Sequence, residues 1–218
     1  MMRRLIIARH GNTFEDGEAP RRVGVTDLPL TAKGREQAAV LGTWLRERGW
    51  IPDAVYAPVL LRSRETAEIA ARAAGFGGAV RVADFLAEID HGPDENKTES
   101  EVRLRLGRET LGPSATDVEA DAAGHAVLAA WDERAVPPPG WRVDAEGLRE
   151  RWRVFAEGVA RGEALVTFAV TSNGVLRFAA GIGKGEVPSS LKVATGAACC
   201  WEWDGGAWVL AGWNQRPA

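Results

Sequence analysis

Short apolar runs alternate with amphipathic stretches through the first half of this chain, and that alternation limits its fold more than any other feature. "RLIIA" at residues 4–8 is too short for a helix and apolar on both sides, so it reads as a strand buried on both faces. "LTAKGREQAAVLGTWLRERG" follows, with Thr31 as N-cap, Ala38, Leu41 and Leu45 on one helical face, and Gly49 as the stop. "DAVYA" is a second strand, "RSRETAEIAARAAG" a second helix ending at Gly75, and "AVRVA" a third strand. Strand, helix, strand, helix implies βαβ units, because parallel strands need a crossover and the crossover covers the sheet. The fold class is therefore α/β, a three-layer sandwich with a mostly parallel central sheet.

After Gly92 the character changes. Residues 93 to 163 are charged, Ala-rich and broken by "VPPPG", with helix-like stretches near 117–134 and 145–160. We read them as a helical cap insertion within a single domain spanning 1–218. The sheet pattern resumes at "ALVTFAVTS", followed by a helix from Val175 to about Ala180. "GAACCWEWDGGAWVLAGWN" then alternates around "DGG", a hairpin signal.

Composition narrows the function classes. Of 218 residues, 45% are hydrophobic and 26% charged, as in ordinary soluble domains. A net charge of -3 argues against a general nucleic-acid or bilayer binder, although local basic clusters for small anions stay possible. No segment approaches the roughly 18 apolar residues of a spanning helix. The apolar run in "MMRRLIIARHG" falls short of the about 7 to 15 residues of a signal-peptide core, so a cytoplasmic location is expected. Cys199 and Cys200 are adjacent and read as reduced strand residues. The sequence is silent on oligomeric state.

In parallel α/β sheets, ligands gather at the carboxyl ends of the strands. The first strand delivers Arg9, His10 and Gly11 there, the second Arg62, the third leads to Glu88, and the fourth ends in "TSNG" at Thr171–Gly174. Two arginines, a histidine and a carboxylate suit phosphoryl transfer. Guanidinium forks match phosphate oxygens bidentately, and a neutral imidazole is a good nucleophile near pH 7. A glutamate can protonate the departing oxygen, and Gly11 permits close approach of backbone to ligand. Each residue alone is more often structural or solvated; the weight lies in their joint occurrence at successive strand ends.

"LIIARHGNT", "GVTDLPLTAKGREQA", "LLRSRETA" and "LAEIDHG", in this order, resemble the histidine phosphatase superfamily, also called phosphoglycerate mutase-like. With the closing "WVLAGWN" the likeness spans almost the whole chain. The resemblance implies that His10 is the nucleophile that becomes phosphohistidine, that Arg9 and Arg62 grip phosphate, and that Glu88 is the general acid. Gly11, Asn12, Arg22, Ser172 and Asn173 complete the expected ligand-binding set. It implies a phosphomonoesterase of small phosphorylated metabolites needing no cofactor. No metal site is expected either, since one histidine (His91) with scattered carboxylates such as Asp90 is a poor ligand set.

One motif departs from the family. Where relatives read "S-H-G-G-V-I-R" this chain reads "T-S-N-G-V-L-R", which puts Ser172 in place of a second pocket histidine. A neutral hydrogen bond contributes about 0.5–1.5 kcal/mol and a charge-assisted one about 1.5–3 kcal/mol. The substitution therefore slows turnover by roughly one order of magnitude if the difference acts only in the transition state. Asn173, His91 and His125 are the candidates to compensate. Two readings stand beside the phosphatase: an impaired phosphatase-like protein that binds a phosphorylated ligand or partner, and a mutase-type enzyme. The mutase pattern "RHGESxWN" is not matched by "RHGNTFEDGEAPRRVG", although Arg21 and Arg22 in that loop suit a second anionic group. The tryptophans at 131, 141 and 152 read as core anchors of the cap.

Overall fold

The computed structural model describes residues 2–218. A six-stranded sheet runs β3 (Arg81–Val82), β2 (Ala54–Ala57), β4 (Val166–Thr171), β1 (Arg3–Arg9), β5 (Ala198–Trp203), β6 (Trp208–Gln215). The first four are mutually parallel, and the last two form an antiparallel hairpin on one flank. The alternation along β1 sorts its side chains into two cores. Leu5 and Ile7 point to one face, Ile6 and Ala8 to the other, and all four are fully buried. Burying each of the three larger ones contributes about 1.5–3 kcal/mol.

Helices α1 (Ala32–Glu47) and α2 (Leu61–Ala74) cover the Ile6 face, with Leu41, Trp44 and Leu45 from α1 and an alanine row from α2. Thr31 caps α1 as expected, its hydroxyl accepting from the Gly34 N–H at 3.1 Å. The stretch from 93 to 163 holds three helices: α3 (Glu99–Leu111), α4 (Asp117–Arg134) and α5 (Ala145–Arg161). The first of these carries few apolar residues and does not stand out in the sequence. It pairs with α4, whereas α5 lies on the second face of the sheet, where Trp152, Ala156 and Val159 pack in the core that holds Leu5 and Ile7. Trp131, Trp141 and Trp152 are all buried. Trp152 donates its indole N–H to the Val175 carbonyl at 3.0 Å, tying α5 to the turn after β4. That turn is a single helical turn, α6 (Asn173–Leu176), continued to Gly181 by a 3-10 segment rather than as one helix.

Cys199 and Cys200 are buried free thiols in β5, and burial pushes Cys200 up to about 12. No helix among the described residues is long and apolar enough to cross a membrane.

The register of β1 on β4 matters most for function. Arg9 stands opposite Thr171, and the His10 N–H donates to the Thr171 carbonyl at 3.0 Å. The two central strands therefore end level, with His10 beside Ser172.

Candidate active site

A cavity of about 680 Å³ opens at those strand ends. Arg9, His10, Asn12, Arg22, Arg62, Glu88 and Asn173 all lie on its wall. Gly11 and Ser172, also expected there, do not line it.

His10 is 7% exposed, and its Nδ1 lies 2.8 Å from the Gly11 carbonyl oxygen. A carbonyl can only accept, so Nδ1 carries the proton and Nε2 is left with its lone pair. Gly11 thus acts through its carbonyl, while its N–H donates to Thr66 Oγ1 at 3.1 Å. Burial, with the Arg9 and Arg62 charges adding to it, holds the His10 imidazole well below its ordinary 6.5. The ring is accordingly neutral at pH 7.

The arginines are braced from behind. Arg9 Nη1 donates to the Val193 carbonyl at 2.7 Å, and its Nε, buried, has no hydrogen-bond partner among the described residues. Its Nε/Nη2 edge, the edge that matches two phosphate oxygens, is left unused. Arg62, 1% exposed, donates to three carbonyls of the 23–26 loop, those of Thr26 (2.9 Å), Val23 (3.3 Å) and Gly24 (2.9 Å). Its Nε is likewise buried and unpartnered among the described residues, as is that of Arg22. Burial lowers the pKa of both Arg9 and Arg62, and the Glu88 carboxylate opposes that shift. Three arginines that line one cavity, each with a buried N–H left without a partner among the described residues, make its lining cationic and suited to an anion.

Glu88 accepts from its neighbour's N–H at Ile89 (3.0 Å) and from the Gly174 N–H (3.2 Å). These bonds fix the carboxyl between the third strand's exit and the turn after β4. A Cβ on Gly174 would stand 2.3 Å from Glu88 Oε1, so only glycine leaves room for this approach.

Asn173 uses its Oδ1 to accept from the Val193 N–H at 2.8 Å. Because a backbone N–H needs an acceptor, this fixes the amide orientation and turns the NH₂ end away from Val193. Ser172 is wholly buried, and its Oγ has no hydrogen-bond partner among the described residues. His125 sits on an exposed position of α4 and does not line the cavity, whereas His91 does.

The far wall holds residues that motif reasoning passed over. Arg177, 2% exposed, stacks 3.7 Å above Trp131, donates to the Asn173 carbonyl, and reaches the Trp131 carbonyl and Asp132. Burial pushes it down to about 10. Trp131, Asp132 and Lys192 complete that wall. Their signal in sequence is weak, since a lone Trp-Asp in a helix and a lysine in a loop match no spacing rule.

The whole arrangement places a neutral imidazole, two braced guanidinium groups and a carboxyl around one hollow. The chain belongs to the histidine phosphatase superfamily (branch 1), whose family model matches residues 5–216. Phosphoglycerate mutase 1 of Saccharomyces cerevisiae is 33% identical over 109 residues, covering 50% of this chain and 44% of the yeast protein. The chain thus matches less than half the length of that curated relative. Among solved structures, a phosphoglycerate mutase from Bacillus anthracis superposes over 99% of this chain and 94% of its own, with TM-score 0.75 and 18% identity. A mycobacterial glucosyl-3-phosphoglycerate phosphatase does so over 99% of this chain and 100% of its own, with TM-score 0.71 and 22% identity. At these identities the structural likeness establishes the phosphoglycerate mutase-like α/β fold.

Proposed function

We propose that this chain is a phosphomonoesterase acting on a small phosphorylated metabolite through a phosphohistidine at His10. The observation that carries this reading is the lone pair of the buried, neutral His10 ring in a cavity that the Arg9 and Arg62 guanidinium groups also line. In this reading residues 1–218 act as one domain and the 93–163 insertion shapes the substrate end of the cavity.

The reaction runs in two displacements. The phosphate oxygens sit on the Arg9 and Arg62 donors, aided by the Asn173 amide and Asn12. The Nε2 lone pair of His10 attacks phosphorus as the ester P–O bond breaks, and Glu88 gives the leaving oxygen its proton. Water then attacks the phosphohistidine, Glu88 takes the water's proton, and the N–P bond breaks to release inorganic phosphate. The arginines supply the positive charge that the reaction needs, so no metal ion enters this scheme.

Two named relatives bear on substrate class. Both are named for phosphorylated three-carbon acids or their glucosyl conjugate, which makes small phosphate esters the first panel to test. Release of inorganic phosphate from p-nitrophenyl phosphate and from sugar phosphates, nucleotides and phospho-amino acids, with His10→Ala as control, tests the reading. Turnover that survives in His10→Ala overturns it.

A second reading, a phosphate-binding protein without turnover, draws on Ser172, whose hydroxyl is buried away from the cavity. It predicts saturable binding of inorganic phosphate with no ester hydrolysed at any pH.

A further inference from the structure

The turn after β4 brings no imidazole to the cavity, but the base of the insertion does. His91 is 5% exposed and lies on the cavity wall with Glu88. Its ring packs edge-on against Trp141 at 4.6 Å between centroids, which fixes its plane. Its Nδ1 is buried without a hydrogen-bond partner among the described residues and lies 3.6 Å from Glu95 Oε2, too far for a hydrogen bond. Its Nε2 likewise bonds to no described protein group, yet is not sealed off, so the small open part of the ring faces the cavity.

The 23–26 loop ties this ring to the phosphate cradle. The Gly24 carbonyl accepts from Arg62 Nη2 at 2.9 Å, and the Gly24 N–H donates to both Glu95 carboxylate oxygens at 3.0 and 3.1 Å. A Cβ at Gly24 would lie 2.9 Å from His91 Nδ1 and 3.1 Å from Glu95 Oε2. One residue therefore separates His91 from the backbone that braces Arg62.

We infer that His91, backed by Glu95, is the second imidazole of this site and donates its Nε2 proton to a phosphoryl oxygen. This rests on the phosphatase reading of the cavity but concerns a residue outside that mechanism. The charged groups facing the ring are Glu88, Asp90 and Glu95 on the acidic side and Arg22 on the basic side. Burial holds His91 below its ordinary value, and Arg22 adds to this. A bound phosphate dianion brings negative charge to Nε2, opposite the Glu95 carboxylate at Nδ1. A ring between two anions favours the doubly protonated form, which donates at Nε2 while its Nδ1 side faces the Glu95 charge. The site would then regain a charge-assisted donor from the insertion in place of one from the β4 turn.

The test separates a donor from a packing residue. His91→Phe keeps a ring against Trp141 but has no N–H. His91→Gln places an amide N–H near the former Nε2 without a charge. Thermal melts come first, and then kcat and KM on p-nitrophenyl phosphate and the dissociation constant of inorganic phosphate by titration calorimetry are measured for each.

The expected result is a 10- to 100-fold weaker phosphate affinity and a similar loss of kcat/KM in the Phe variant. The Gln variant recovers a substantial part of both, at similar melting temperatures. Equal behaviour of wild type and both variants overturns the inference. So does an equal loss in both variants that follows their melting temperatures. The binding arm needs no turnover, so a wild type that binds phosphate without hydrolysing esters refutes the phosphatase reading and still tests His91. Absence of phosphate binding by wild type refutes the inference outright.

Discussion

The Nδ1 atom of His10 lies 2.8 Å from the carbonyl oxygen of the very next residue, Gly11. A bond between such close neighbours in sequence holds whenever the backbone does, and it leaves Nε2 as the only nitrogen able to attack phosphorus. The covalent intermediate is therefore expected on Nε2 of His10. Rapid quenching with a ³²P-labelled ester should trap a phosphate that is labile in acid and stable in alkali, and ³¹P NMR should assign it to Nε2. An alkali-labile phosphate, or one that persists in His10→Ala, would remove His10 from the role.

The acid side of the pH profile follows from the same ring. Burial first, then the Arg9 and Arg62 charges, hold His10 well below 6.5. Only the neutral ring attacks, so kcat/KM should stay level as pH falls through 6.5 and decline only well below it. Stability carries the opposite cost. Between 6.5 and the folded value the unfolded chain binds a proton that the folded chain refuses, so folding stability rises with pH over that window and is lost on acidification. Urea melts at pH 7.5 and 5.5 should show His10→Gln losing less stability on acidification than wild type. An equal loss in the two proteins would mean that His10 is not held below its ordinary value.

Glu88 and Gly174 give a prediction that touches no chemical group. In Gly174→Ala the new methyl would stand 2.3 Å from Glu88 Oε1 and 2.7 Å from Ile89 Cγ1. Both obstructing atoms belong to side chains that can swing aside, so the chain should fold while the carboxyl moves off its position. General acid catalysis contributes about 10²–10⁴-fold, which sets the range expected for the fall in kcat on alkyl phosphates. p-Nitrophenyl phosphate has a leaving group that departs with little need of a proton, so its kcat should fall much less. A loss equal on both substrates would contradict the role given to Glu88.

The sequence makes the fold legible because the fold is written locally. The apolar run Leu5–Ala8, too short for a helix, reads as a buried strand, and Thr31, Gly49 and Gly75 punctuate the helices that return the chain to the sheet. The positions of Arg9, His10, Arg62 and Glu88 follow from the strand ends that carry them. What the sequence does not show depends on side-chain orientation and on contacts between separate segments. The role of the Gly11 carbonyl, the Asn173–Val193 bond that orients an amide, and the burial of Ser172 Oγ all arise where residues about 20 or more apart, or a turn's geometry, meet. α3 was invisible for another reason. Its apolar positions are few because part of its contact with α4 runs through backbone at glycines, beside the buried Val102 and Leu106.

That partnership carries the last prediction. α3 and α4 cross at two glycines, each pressed on the other helix's backbone. A Cβ on Gly107 would lie 1.8 Å from the Ala120 carbonyl oxygen, and one on Gly124 would lie 1.9 Å from that of Arg103. Backbone cannot yield as a side-chain tip can, so Gly107→Ala or Gly124→Ala must push the helices apart. Overpacking of this kind costs about 1–3 kcal/mol, more than alanine's better helix propensity returns. The two sites lie on one interface, so the double variant should lose less than the sum of the singles, because the first displacement makes room for the second. Separation should also reach the cavity. Glu99, the first residue of α3, accepts from Arg22 Nη2 at 2.6 Å, and Arg105 pairs with the buried Asp94 just after the His91 turn. Either variant should therefore raise KM for a phosphate ester while leaving the trapped phosphohistidine on His10. Urea melts within 0.5 kcal/mol of wild type (roughly the scatter of a neutral surface change) would show that the helices do not touch as closely as described.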